Sequence, residues 1–171
     1  MRPGHALTAT GAPDWRPALA AAGWALVILG FGGAATDLGP WYQSLQQPAW
    51  KPPRAAFGPA WTVILGLAAV AAFIAWRKAA APGQRAWIVG LFLLNGVLNV
   101  LWSVLFFILR RPDWALFELA VLWLSILVLV VVGGRLSRAA GWCLLPYLLW
   151  VAYAGAINLA VVDLNGPFGG V

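Results

Sequence analysis

Residues 86–109 read AWIVGLFLLNGVLNVLWSVLFFIL, and no charged residue interrupts these 24 positions between Arg85 and Arg110. A bilayer core about 30 Å thick is crossed by about 20 helical residues at 1.5 Å each, so this run is long enough to span it. The hydrocarbon offers the backbone no hydrogen-bond partners, and a helix satisfies its own amide groups. The stretch therefore predicts a transmembrane helix.

Four more charge-poor runs have similar lengths, and Glu118 is the only charged residue that interrupts any of them. Strands of a membrane barrel would instead be about 10 residues long with alternating polarity, a pattern that these runs lack. We predict an all-α integral membrane fold: a five-transmembrane-helix bundle over residues 17–165, between an N-terminal tail (1–16) and a C-terminal tail (166–171). The predicted helices cover about residues 17–36, 57–77, 86–109, 113–134 and 140–163.

The composition agrees with a membrane protein. Of 171 residues, 63% are hydrophobic and 9% are charged, whereas soluble domains have about 25% charged residues. So few charges cannot cover a water-soluble surface, which excludes a soluble enzyme domain. The net charge of +6 does not indicate a nucleic-acid partner, because the basic residues flank apolar runs. The only cysteine, Cys143, and the only histidine, His5, exclude an internal disulfide and a multi-histidine metal site. No set of nucleophile and base indicates conventional catalysis.

The distribution of Lys and Arg predicts the orientation. With five spans, the N-terminal tail and the second and fourth connectors share one side of the membrane and carry seven basic residues. The first and third connectors share the other side and carry four. Since cytoplasmic segments are enriched in Lys and Arg, we expect a cytoplasmic N-terminus, with the first loop and the C-terminus on the opposite side.

The first connector, about residues 37–56, is much longer than the others and contains Trp41, Tyr42, Trp50 and four prolines. Long loops in compact folds are usually functional or disordered. The aromatic residues argue against disorder, because their exposure to water would be unfavourable. We therefore predict a long ordered first loop that covers the mouth of a cavity.

The 12 tryptophans fall into two main groups. Five lie at predicted span ends, as is typical of the aromatic belts at membrane interfaces: Trp15, Trp76, Trp87, Trp114 and Trp142. Five lie deeper: Trp24, Trp61, Trp102, Trp123 and Trp150. The deeper rings pack helices together or line a ligand cavity, and their positions alone leave both roles open.

Polar side chains form stripes on two helices. The third helix carries Asn95, Asn99, Trp102, Ser103 and Phe106 on one stripe, and the fifth carries Pro146, Trp150, Ala154 and Asn158. An amide facing lipid would lack partners, so both stripes should face the bundle interior. There they would either join helices by hydrogen bonds or line a pocket.

Glu118 is the one acidic residue predicted to lie well inside a span, about one and a half turns from the start of the fourth helix. An unpaired carboxylate at membrane depth is costly. We expect Glu118 to reach the headgroups or to pair with Arg110 or Arg111.

A spaced signature runs along the chain. The first loop reads Trp41-Tyr42-x-x-Leu45-x-x-Pro48-x-Trp50-x-Pro52-Pro53 and leads into Phe57-Gly58-Pro59-x-Trp61-Thr62. The third span contributes Asn95, Asn99-x-x-Trp102-Ser103-x-x-Phe106-Phe107 and then Arg110-Arg111-Pro112. The fifth contributes Pro146-Tyr147-Leu148-x-Trp150 and Ala154-x-x-x-Asn158. Over about residues 20–165 this pattern resembles the TspO/MBR family, the translocator proteins also called tryptophan-rich sensory proteins or peripheral benzodiazepine receptors.

The resemblance implies a multi-pass protein of the bacterial envelope, in contact with membrane lipid and forming a homodimer. It implies a cavity under the first loop that binds a tetrapyrrole, protoporphyrin IX or haem, for transport, sensing or homeostasis of porphyrins. No required cofactor is expected, and the residues themselves predict no metal ligand. The ligand-binding positions carried over from the family are Trp41, Trp61, Asn95, Asn99, Tyr147, Trp150 and Ala154.

Two alternative functions follow from the same resemblance. One is light-dependent breakdown of porphyrin, for which the matching residues are Trp61 and Trp150. The other is a lipid- or sterol-binding scaffold, which this sequence fits less well. The sterol-recognition pattern needs a Lys or Arg after a tyrosine, but Asp163 stands where family members often carry Arg. The sequence also departs from the family at Ala55-Ala56, where an aromatic residue is common, and at Leu65, where a tyrosine is common.

Overall fold

The computed structural model describes residues 14–169, so the N-terminal positions that include His5 lie outside the described residues. Five helices in this range are long and apolar enough to cross a membrane. The elements are α1 (Arg16–Ala35), α2 (Pro40–Ser44), α3 (Arg54–Lys78), α4 (Pro82–Ser103), α5 (Pro112–Leu136) and α6 (Arg138–Asn165), and a π-helical turn, Val104–Ile108, continues α4. The predicted five-helix membrane bundle is confirmed; the short helix α2 was not predicted.

Proline sets several of the helix starts. Pro40, Pro82 and Pro112 each occupy the first position of a helix, where the missing N–H costs nothing and the fixed backbone angle suits a helix. This explains why α4 begins at Pro82, four residues before the predicted start. Pro59 and Pro146 lie inside α3 and α6, which membrane helices tolerate when neighbouring groups satisfy the freed carbonyls.

Helix α5 ends two residues beyond the predicted end at residue 134. It continues through Gly133 and Gly134 to Leu136, and only Ser137 separates it from α6. The glycines allow the two helices to approach closely: a Cβ on Gly141 of α6 would lie 3.0 Å from the Cα of Gly134. Small residues permit this backbone proximity, which strengthens packing between membrane helices.

The surface of the bundle is apolar and its tryptophans mark the helix ends. Trp15, Trp87, Trp114 and Trp142 are each at least half exposed, with Trp87 the most exposed at 74%. In a soluble protein such exposure would be a liability, whereas at a membrane interface it matches the predicted aromatic belt. The outward positions along the spans are occupied by large aliphatic side chains suited to lipid contact.

The first loop, residues 36–53, is ordered and folds over one end of the bundle; we call it the lid. The backbone of Gln46 is held by Asn165 at the end of α6, since its N–H donates to Asn165 Oδ1 (2.7 Å) and its C=O accepts from Asn165 Nδ2 (2.9 Å). The Tyr153 hydroxyl donates to the carbonyl of Trp50 (2.9 Å). These bonds tie the lid to α6 at two points.

Candidate functional site

A cavity of about 490 Å³ lies beneath the lid and between α1, α3, the end of α4, and α6. Its size falls within the range of about 300–1,000 Å³ that is usual for small-molecule sites. The described residues that line it are mostly apolar or aromatic, with a small number of polar groups. This composition is typical of sites that bind a largely apolar ligand.

Three of the five deep tryptophans line this cavity: Trp61 from α3, Trp102 from α4 and Trp150 from α6. The Trp61 ring meets Tyr147 edge-on (centroids 6.1 Å apart), and the Trp150 ring meets Phe57 edge-on (5.6 Å). Such contacts fix the orientation of the rings. The sequence left helix packing and cavity lining open as roles for the deep tryptophans. For these three, the structure favours cavity lining.

The other two deep tryptophans lie outside the cavity lining. The indole N–H of Trp24 donates to the carbonyl of Phe92 (2.9 Å), which joins α1 to α4. The indole nitrogen of Trp123 is buried and has no hydrogen-bond partner among the described residues. Trp24 thus has the helix-packing role that the sequence left as an alternative.

The π-helical turn brings two consecutive phenylalanines to the cavity. Phe106 and Phe107 are both buried and both line it, although neighbouring residues on a regular helix point about 100° apart. The wider turn is visible in the bond from the Leu109 N–H to the carbonyl of Val104 (2.9 Å). Single π-turns of this kind are frequent at functional sites.

Helix α1 contributes a wall with little side-chain volume. Gly32 and Gly33 both line the cavity. A Cβ on Gly33 would meet no heavy atom within 4 Å, whereas one on Gly32 would lie 3.9 Å from Ser103 Oγ. The space beside Gly33 is therefore open.

A buried polar network lies next to the cavity. Tyr147 Oη accepts from Asn99 Nδ2 (2.8 Å) and donates to Asn95 Oδ1 (3.2 Å), and Asn95 Nδ2 donates to Ser125 Oγ (2.8 Å). Tyr147 and Asn95 are fully buried. The network joins α4, α5 and α6, and in it Asn95 acts as an interhelical hydrogen-bonding group, one of the two roles left open by the sequence.

A second polar link closes the cavity between α4, α6 and the start of α5. The Trp102 indole donates to Asn158 Oδ1 (3.1 Å), and Asn158 Nδ2 donates to the carbonyl of Pro112 (2.8 Å). Both Trp102 and Asn158 line the cavity. The indole N–H of Trp102 and the amide of Asn158 are thus already paired. Trp102 therefore presents mainly the face of its indole ring to a ligand.

The lid and the first residue of α3, Arg54, contribute aromatic and basic groups. Tyr42 packs on Phe107 (centroids 5.6 Å apart) and accepts a hydrogen bond from Lys51 Nζ (2.9 Å). Lys51 and Arg54 both line the cavity, and both lie near the face of the Tyr42 ring, at 5.0 and 6.0 Å from its centroid. The lid end of the cavity is therefore its basic end.

The structure brings some of the predicted site residues together and leaves others outside. Trp61, Asn99, Trp150 and Ala154 line the cavity. Trp41, Asn95 and Tyr147 do not line it: Trp41 packs behind the wall against Phe106 (6.1 Å), and the other two belong to the polar network. Lys51 and Arg54 also line the cavity but were not predicted as site residues. The only signal in the sequence was their position on either side of the Pro52-Pro53 pair, at the end of the lid.

Two expectations about side-chain placement are wrong. Glu118 neither reaches the surface nor pairs with arginine; it is 9% exposed, and its carboxylate oxygens have no hydrogen-bond partner among residues 14–169. Arg111 instead pairs with Asp113 (Nε to Oδ1 2.8 Å), which lies two residues away and at the helix start. Pro146 is exposed because its neighbour Tyr147 takes the buried side of α6, whereas the other three residues of the predicted stripe line the cavity.

The site lacks the residues of a metal centre. Within the described part of the chain, no group of three or more His, Cys, Asp or Glu residues lies close enough to hold an ion. The chemistry that the cavity offers is aromatic stacking, apolar burial, a few amide and hydroxyl groups, and two cations.

These features define a class of protein: a multi-pass membrane protein of five helices whose first loop closes an aromatic cavity of ligand size. The sequence model of the TspO/MBR family matches residues 16–163, and the chain belongs to that family. It is 34% identical to the tryptophan-rich protein TspO of Archaeoglobus fulgidus, over 82% of this chain and 92% of that protein. It is 33% identical to the translocator protein of Bos taurus (86% and 89%) and 32% identical to protein CrtK of Rhodobacter capsulatus (82% and 88%).

Proposed function

We propose that this protein binds a tetrapyrrole in the cavity beneath its lid and serves in the transport, sensing or homeostasis of porphyrins. The observation that carries the proposal is the cavity itself, about 490 Å³ with indole rings contributed by three different helices. A porphyrin is a flat, largely apolar aromatic macrocycle, and aromatic contacts add about 0.5–1.5 kcal/mol each beyond the burial of apolar area. The ligand is protoporphyrin IX or haem, with no metal ligand from the protein.

The proposal extends to the setting of the protein. Five basic residues lie at the helix ends beside the short connectors 79–81 and 137, and they support a cytoplasmic position for that end of the bundle: Arg77, Lys78, Arg85, Arg135 and Arg138. The lid and the end of α6 then lie on the opposite face of a bacterial envelope membrane. We further propose that the protein acts as a homodimer.

A second function, light-dependent breakdown of the bound porphyrin, is favoured by one observation. Trp61 and Trp150 line the same cavity, so both indoles would lie close to the macrocycle. Indole is more easily oxidised than the aliphatic and phenylalanine side chains of the wall. A lipid- or sterol-binding scaffold remains the third candidate, supported only by the apolar lining.

The test is a titration of the full chain in lipid nanodiscs with protoporphyrin IX, followed in the dark by quenching of tryptophan fluorescence. Trp61→Ala and Trp150→Ala should each weaken binding by about tenfold or more, because each removes one aromatic contact together with its apolar burial. Trp142→Ala is the matched control, since Trp142 is exposed at the other end of α6. Binding that does not saturate, or that all three variants reduce equally, would disprove the proposal.

Repeating the titration under illumination separates the second function from the first. Loss of the porphyrin absorption band in light, abolished by Trp61→Phe or Trp150→Phe, supports breakdown, because phenylalanine keeps the apolar face but is far harder to oxidise. An absorption band that decays equally in wild type and both variants would remove this function.

A further inference from the structure

The basic end of the cavity contains two cations and no anion. Lys51 is half-buried and Arg54 is exposed, and neither forms a salt bridge with any residue in the described range 14–169. None of the five acidic residues of the chain lines the cavity. Asp37, within the lid, accepts from the N–H of Gly39 (2.8 Å), Asp113 pairs with Arg111, and Asp163 is exposed in the last turn of α6. No ion pair within residues 14–169 therefore neutralises Lys51 or Arg54.

Two buried N–H donors add to this imbalance. Gln47 Nε2 and Trp150 Nε1 are shielded from solvent and have no acceptor among the described residues, and both side chains line the cavity. Buried polar groups are normally paired, and an unpaired donor is costly. The lid half of the cavity thus contains both unpaired N–H donors and cations. These groups would be satisfied by a ligand that carries hydrogen-bond acceptors with negative charge.

We propose that the lid end of the cavity selects ligands that carry carboxylate groups on a flat apolar body, and that Lys51 and Arg54 are the specificity-determining residues. This inference rests on the proposed function and adds the orientation of the ligand to it. The apolar body lies between the indole rings, and the carboxylates point to the lid. Tyr42 positions the pair, because it accepts a hydrogen bond from Lys51 and its ring lies beneath both cations.

Both cations have hydrogen-bond donors free for a carboxylate of the ligand. The ammonium of Lys51 donates one of its hydrogens to Tyr42 and keeps two for a ligand. The guanidinium of Arg54 makes no hydrogen bond with the described residues and offers a planar fork that suits a carboxylate. Charge-assisted hydrogen bonds of this kind are stronger than neutral ones, and the half-open position of the pair reduces the gain by solvent screening.

The experiment compares protoporphyrin IX with its dimethyl ester, which has the same macrocycle without the negative charges. Binding is measured in nanodiscs of zwitterionic phosphatidylcholine, with the full chain and with Lys51→Gln and Arg54→Gln. We expect the wild type to prefer the acid by about tenfold, and each variant to lose about three- to tenfold for the acid with little change for the ester. Affinity for the acid should also fall with salt more steeply than affinity for the ester.

Arg110→Gln is the matched control variant. Arg110 lies at the same end of the bundle and over an aromatic ring, 5.7 Å from the centroid of Trp41, but it does not line the cavity. It removes the same net charge and should leave both affinities unchanged. Equal losses for acid and ester, or a loss in Arg110→Gln as large as in Arg54→Gln, would overturn the proposal.

A second probe pair distinguishes this inference from the proposed function. Pyrenebutyrate and pyrenebutanol are flat apolar molecules with and without a carboxylate. If neither porphyrin binds but pyrenebutyrate binds better than pyrenebutanol in an Arg54-dependent way, the tetrapyrrole proposal fails and carboxylate selection stands. If the pyrene pair shows no preference, carboxylate selection fails. Loss of the acid preference when phosphatidylglycerol is added to the nanodiscs would assign the two cations to lipid headgroups and would also overturn it.

Discussion

Replacing Tyr147 by phenylalanine tests the buried polar network that joins α4, α5 and α6. The hydroxyl accepts from Asn99 Nδ2 at 2.8 Å and donates to Asn95 Oδ1 at 3.2 Å, and Tyr147 is fully buried. The substitution keeps the ring and its contact with Trp61, so it removes one oxygen and two hydrogen bonds. We expect the fold to persist with lower stability.

The magnitude follows from the two amides left behind. Asn99 Nδ2 loses its acceptor, and Asn95 Oδ1 loses its donor, while Asn95 Nδ2 keeps its bond to Ser125. Hydrogen bonds between membrane helices contribute about 0.6–2 kcal/mol each, and a buried group left unpaired costs about 1–3 kcal/mol. For the two bonds, these two ranges overlap at a loss of about 2–4 kcal/mol in the free energy of unfolding.

The assay is unfolding in mixed micelles of dodecyl maltoside and SDS, followed by tryptophan fluorescence. Tyr153→Phe is the matched control, because its hydroxyl makes a single bond to the lid at the protein surface; it should lose less than about 1 kcal/mol. A loss for Tyr147→Phe below about 0.5 kcal/mol, or equal to that of the control, would refute the reasoning. The amides would then have found other partners.

Three further predictions concern other parts of the molecule. Glu118→Leu should raise the free energy of unfolding in the same assay, because the carboxylate is buried without a hydrogen-bond partner among the described residues; a loss of stability would reveal a partner. Asn165→Ala should accelerate amide hydrogen exchange at Gln46, whose N–H donates to Asn165, and unchanged exchange would show that the lid is held elsewhere. In a variant lacking the native cysteine, cysteines at Gln84 and Gly166 should react with an impermeant maleimide from opposite sides of the membrane; labelling from the same side would contradict the five-span topology.

The helices could be predicted because their signal is local. Charge-free runs of membrane-spanning length mark each span, and the spacing of Asn95, Asn99 and Ser103 correctly predicted the face of α4 that is buried. The spacing shows which face of the helix is buried, but it does not show which residues on other helices form hydrogen bonds with that face. It could not show that Asn95 pairs with Ser125 and Tyr147, because that depends on how α5 and α6 pack against α4.

The basic end of the cavity could not be predicted because the path of the lid depends on contacts between distant parts of the chain. Gln46 is held by a residue 119 positions away, and Trp50 by one 103 positions away. These contacts hold the chain after α2 against α6, and Lys51 then lies at the cavity mouth beside Arg54, the first residue of α3. The π-helical turn that directs both Phe106 and Phe107 inward likewise has no local sequence signal that we could identify.

The central claim is that a porphyrin occupies the cavity beneath the lid, and filling that cavity tests it most directly. Gly33 lines the cavity, and Gly30, one turn earlier on α1, does not; a Cβ on either would meet nothing within 4 Å. Phenylalanine at either position should raise the helix propensity of α1 by a few tenths of a kcal/mol, so both variants should fold. We predict that Gly33→Phe lowers protoporphyrin IX affinity at least tenfold, because its ring occupies the site, while Gly30→Phe binds like the wild type. Wild-type affinity in Gly33→Phe would contradict the account.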